Sequence, residues 1–172
     1  ALDLAFELDD KALIATAYFH LGKANRYLGS LPMADSLLHQ ADALLKNLDL
    51  PSIQGGVYFE LGVVSVFQSR IEDARMYSEK GLALAKEQGD DLQLGNMYAL
   101  VSGTYQSEFD LENMEVNLLK AIYHFKRAGD LRGQSSSYVN LASIANMRGD
   151  FETAIQLRER DDRHVQLFRE RL

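Results

Sequence analysis

One spacing governs what this chain can fold into. Tyr18, Tyr58, Tyr98 and Tyr138 recur at intervals of forty residues. Other columns keep the same register. Leu21, Leu61, Val101 and Leu141 follow three residues later, and a small residue comes next each time: Gly22, Gly62, Ser102, Ala142. Leu31, Ile71, Leu111 and Phe151 form another apolar column, and Ala34, Ala74, Met114 and Ala154 form a third. Columns held in phase without an insertion identify a repeat array. Repeats of this length build stacked units that bury their apolar faces against neighbours, with no central active-site scaffold.

Each unit reads as two helices. In the first, Leu13, Ala17, Tyr18, Leu21, Ala24 and Leu28 fall at helical spacing from Lys11 onward. Gly29-Ser30 interrupts the pattern, with Ser30 expected as an N-cap. A second helix is expected from Leu31 to about Asn47, with Pro32 in its first turn, where the missing N–H costs nothing. Asp110 and Asp150 stand in the place of Ser30 in later units. Gly89-Asp90 and Gly129-Asp130 offer a glycine for the left-handed end of one helix and an acidic cap for the next. The second unit has Leu50-Pro51-Ser52 and Arg70 at these points, so looser helix ends are expected there. The small columns are expected where helices cross closely.

Composition removes several function classes. There is no cysteine, which excludes a disulfide framework, a thiolate metal site and a cysteine nucleophile. The net charge of −7 argues against nucleic acid as a partner. Charge is uneven: residues 1–119 carry 8 basic and 18 acidic side chains, and residues 120–172 carry 10 basic and 7 acidic. No apolar run approaches the ~20 residues of a membrane span. The acidic opening Ala1-Leu2-Asp3 lacks the basic leader of a signal peptide. A cytoplasmic location is the expectation, or a periplasmic one if an upstream signal was removed.

Tyr18-x2-Leu21-Gly22, Tyr58-x2-Leu61-Gly62, the second-helix set Ala34, Leu38 and Ala41, and the turn Gly149-Asp150-Phe151 resemble the tetratricopeptide repeat, with Tyr in place of its opening Trp. The usual unit has about 34 residues, so these units are longer by roughly six, as in repeats of bacterial signalling proteins. The resemblance implies an all-α, right-handed superhelical solenoid of helix-turn-helix repeats. The units are 11–50, 51–90, 91–130 and 131–172, and 1–9 is the end of a preceding repeat. The whole chain is then one repeat domain and a piece of a larger protein. Ser78 and Arg158 replace large apolar residues of the pattern, so looser packing is expected around them.

The resemblance also implies function. First helices of such arrays line a concave groove that takes a protein or peptide segment. Carried over by position, the groove residues are Thr16, Phe19, Lys23 and Arg26, then Phe59, Val63 and Val66. Asn96 and Gln106 follow, then Val139, Asn140, Ser143 and Asn146. The first half is aromatic and aliphatic with two bases, and the second is small and amide-rich. The expected role is a binding or regulatory module of a signalling protein. A peptide-pheromone sensor, with Asn96, Asn140 and Asn146 holding a peptide backbone, and a structural spacer are the alternatives. No enzyme constellation, cofactor site or metal site is expected: His20, His39, His124 and His164 lie in different helices without i,i+4 pairing. Neither nucleic acid nor membrane is an expected partner. Exposed terminal helices, with Leu2, Ala5 and Leu8 at one end and Val165, Phe168 and Leu172 at the other, are expected to permit self-association.

Overall fold

The computed structural model describes residues 9–159, and these are all helix, turn and loop. The helices are α1 (Lys11–Tyr27), α2 (Leu31–Leu45), α3 (Pro51–Phe67), α4 (Ile71–Gln88) and α5 (Asp91–Thr104). A 3-10 turn follows at Gln106–Glu108, then α6 (Leu111–Ala128), α7 (Leu131–Met147) and α8 (151–159). Expectations that fell on 1–8 and 160–172, including both terminal stripes and His164, lie outside the described residues. Among the described residues no helix is long and apolar enough to cross a membrane. The chain divides into two compact units, 1–84 and 85–172, with the boundary inside α4.

Helix starts follow the acidic caps. Asp10 accepts from the N–H groups of Ala12 and Leu13, Asp90 from Gln93, Asp110 from Asn113, Asp130 from Arg132 and Gly133, and Asp150 from Thr153. Each satisfies donors that a helix start leaves open. Ser30 holds the cap position of α2, but its hydroxyl makes no cap bond, which corrects the expectation for it. Leu50 likewise caps α3 without a side-chain bond, as its chemistry requires. Arg70, at the cap column of α4, instead binds Asp73 and reaches back to Asp35 on α2. Arg148 makes the matching reach to Glu115 on α6. Two arginines from inter-helix turns thus tie a unit to the second helix before it.

The turn between the two helices of each repeat needs one left-handed residue. Gly29 and Gly149 supply it at φ 78°, but Ser69 and Phe109 stand in the same column at 59° and 52°. A side chain there is strained, most of all the bulky Phe109.

In the first unit, Ala15, Phe19, Leu38, Leu45, Val57, Leu61, Val64 and Tyr77 pack into one cluster. Burying Leu38 or Leu61 contributes roughly 1.5–3 kcal/mol each. The small columns work as expected: a Cβ on Gly22 would meet Leu38 Cγ at 2.6 Å. Ser78 does not open the packing as expected, because it is 1% exposed and its hydroxyl donates to the Ala74 carbonyl at 2.7 Å. Tyr77 beside it enters the cluster. In the second unit, Leu118, Ile122, Tyr138, Leu141 and Ile144 form the core, with Leu111, Met114 and Leu157 against it.

Candidate functional site

The expected groove residues behave differently in the two units. In the first, Phe19 is core: it is buried, and its ring covers Gly56 so closely that a Cβ there would come within 2.8 Å of it. Its reading as a groove residue is corrected accordingly. Arg26 is not a free base either. It forms an ion pair with Glu60, which is 2% exposed, and its guanidinium lies 4.1 Å from the Tyr27 ring centre. Burial works against the Arg26 charge, but the Glu60 carboxylate and Tyr27 together outweigh burial and hold its pKa above the usual value. Thr16 donates to the Ala12 carbonyl at 2.8 Å. Lys23, Phe59, Val63 and Val66 are half-buried.

In the second unit the expected residues converge. Gln106, Asn140 and Ser143 line a cavity of about 270 Å³ together with Ala99, Ser102 and Gly103. Met114, Leu118, Ile144 and Met147 supply its apolar wall. Asn96, Val139 and Asn146 are not part of this lining. The 3-10 turn is what brings Gln106 here. The same column is α-helical at Arg26, Val66 and Asn146, whereas α5 stops at Thr104, whose hydroxyl donates to the Val101 carbonyl at 2.8 Å. The Ser102 hydroxyl is spent on the Met114 carbonyl at 2.9 Å, and that of Ser143 on the Val139 carbonyl at 3.1 Å. The Gln106 and Asn140 amides have no partner among the described residues. No charged side chain lines the cavity. It therefore presents two open amides beside two flexible thioethers, which is suited to a neutral backbone segment with a modest apolar side chain.

A wider recess of about 390 Å³ in the first unit is lined by Lys11, Ile14, Tyr18, Gln40 and Leu44 among others. It holds none of the sequence-predicted groove residues and lies at the start of the described chain, so the smaller cavity has the stronger claim.

Sequence reasoning missed one polar cluster. Asp91 on α5 bonds His124 Nδ1 at 2.8 Å and accepts from Arg127 Nε at 2.8 Å, both on α6. The His124 ring stacks on Tyr98, with centroids 5.4 Å apart, and Lys120 lies 5.5 Å over the same tyrosine. The bonds from His124 and Arg127 hold the Asp91 carboxyl below its usual range. All the partners belong to two adjacent helices, so the cluster clamps α5 to α6. The signal was in the columns: Asp91 and His124 occur together in one repeat only, where the others have Lys11 and Leu44, Pro51 and Leu84, and Leu131 and His164. Among the described residues no group of three or more metal-ligating side chains is placed to hold an ion.

No family model matches the chain, and no curated protein matches it. Solved structures do. A crystal structure of BtubC (BKLC) from P. vanneervenii superposes with a TM-score of 0.75 at 18% identity, covering 93% of this chain and 66% of that one. At that identity the likeness shows the fold alone.

Proposed function

We propose that this chain is a tetratricopeptide-like array, wound as a right-handed superhelical solenoid, that binds a protein or peptide segment as the interaction module of a larger regulatory protein. The observation that carries this reading is the cavity of the second unit, where the unengaged Gln106 and Asn140 amides meet Met114 and Met147. An extended segment satisfies both amides through its backbone, and one apolar side chain fills part of about 270 Å³. The forty-residue register and the likeness to a solved helical fold support the architecture.

Gly103 gives a clean test. It lines the cavity, and a Cβ added to it meets nothing within 4 Å. Gly103→Arg fills the site without disturbing the core, and replacing a helical glycine favours folding. A displayed library of short random peptides, selected against the wild-type chain, is expected to yield neutral sequences whose binding Gly103→Arg and Asn140→Asp abolish or weaken while the melting temperature holds. No enrichment, or peptides that bind Gly103→Arg equally well, overturns the reading. Short free peptides bound tightly favour the sensor role, and binding only within a folded protein favours the scaffold.

A further inference from the structure

The outward face of α6 differs from its counterparts one and two repeats earlier. Val116, Leu119 and Tyr123 are 41%, 52% and 56% exposed and recur at i, i+3 and i+7, so they form one stripe. The corresponding positions are Ser36, His39 and Ala43 on α2, and Met76, Glu79 and Ala83 on α4. Single exposed apolar residues are ordinary, but three in line on one helix are not. Tyr123 is also held in place: Arg127 donates to its hydroxyl at 3.3 Å, and Arg127 is itself fixed by Asp91.

Charge decides what fits this stripe. Glu112 lies seven residues before Leu119 and Lys126 seven residues after it. Seven residues return to nearly the same face, so acid, Val116, Leu119, Tyr123 and base lie along one line. Both end charges are exposed, and neither forms an ion pair among the described residues. We infer that α6 pairs antiparallel with α6 of a second copy of this chain about a two-fold axis at Leu119. Each Glu112 then faces the other copy's Lys126, each Val116 lies near the other copy's Tyr123, and the two leucines meet. An isologous contact requires this kind of self-complementarity. α4 carries the same end charges, Glu72 and Lys86, but Glu79 at its centre would face itself and repel. The patch is small, so the dimer is weak and concentration-dependent.

Sedimentation velocity of the 172-residue chain, from micromolar to submillimolar concentration, tests this. A monomer–dimer equilibrium is expected, lost in Leu119→Glu. Because Leu119 is half exposed, that variant keeps its helicity and melting temperature. Glu112→Lys and Lys126→Glu each weaken the dimer by about tenfold, and combining them restores it to within about threefold. A monomer at every concentration overturns the inference, including the case in which α6 serves a different partner. A dimer indifferent to Leu119→Glu, or a double charge reversal that fails to restore it, overturns it as well.

Discussion

The two units place their polar side chains in opposite ways. In the first, positions expected to face a ligand are used within the protein: Phe19 fills the core and Arg26 is paired with buried Glu60. In the second, two amides lining a cavity stay unengaged while the hydroxyls beside them, Ser102 and Ser143, are bonded internally. The framework columns are the same in both. What differs is whether a neighbouring repeat supplies a partner. An arginine that meets a buried glutamate becomes structure, whereas an asparagine that meets small and apolar side chains remains available.

The largest test of this contrast is the Arg26–Glu60 pair. Removing Glu60 by Glu60→Ala leaves an arginine side chain only 12% exposed without its counter-charge, which costs about 3 kcal/mol or more. The combined change Arg26→Met, Glu60→Leu removes both charges and returns to within about 1 kcal/mol of wild type. Urea denaturation measures both. A Glu60→Ala cost below about 1 kcal/mol would show that the pair is no more than a surface contact.

The small column sharpens the comparison next. Gly22 leaves no room, since an added Cβ meets Leu38 at 2.6 and 2.9 Å and the Ala34 carbonyl oxygen at 3.3 Å. Gly22→Ala is therefore expected to destabilise by about 1–3 kcal/mol despite the better helix propensity of alanine. In the same column Ser102 fits and bonds the Met114 carbonyl, so Ser102→Ala loses only about 1 kcal/mol. Equal effects at the two positions would mean that the crossings are equally tight.

Acid separates the units more gently. Asp91, Asp110 and Asp150 all belong to the second unit, and side-chain hydrogen bonds lower their pKa values. A carboxyl lowered on folding contributes stability that is complete above its unfolded value of about 4 and is lost as pH falls through the folded one. These groups contribute no change between neutral pH and pH 5. Below about pH 4, amides near Asp91 and the α6 start should gain hydrogen-exchange opening before those of α2 and α3. Asp91→Asn should remove the part due to the His124 clamp.

Much of the fold was legible because it rests on periodicity and caps. The four tyrosines, the small columns and the Asp caps gave helix starts and order, and α1 and α2 begin where the pattern predicts. The site was legible in part. Gln106 and Ser143 were placed by column position and Asn140 by the peptide-sensor alternative, and the structure gathers all three at one cavity. Phe19 and Arg26 were misread because column position gives a direction and not a partner. Glu60, the partner that buries Arg26, lies 34 residues away in a column otherwise held by His20, Leu100 and Asn140. The early end of α5 was not legible either, since Gly103 beside it has no left-handed φ and Phe109 takes the left-handed turn instead.

The smallest effect concerns a cap that a residue list alone would overvalue. Ser30 and Asp110 occupy the same column and precede the second helices α2 and α6. Asp110 accepts from the Asn113 N–H at 3.0 Å and from the Asn113 side chain at 2.6 Å. The Ser30 hydroxyl accepts nothing from α2, where Pro32 has already removed one of the donors a cap would serve. Ser30→Ala is thus expected to change stability by no more than a few tenths of a kcal/mol, well below the ~1 kcal/mol usual for a lost serine cap. Asp110→Ala should lower the melting temperature by clearly more and open the first turn of α6 to hydrogen exchange. If Ser30→Ala costs as much as Asp110→Ala, the serine hydroxyl turns to cap α2 in solution, and the difference between the two starts disappears.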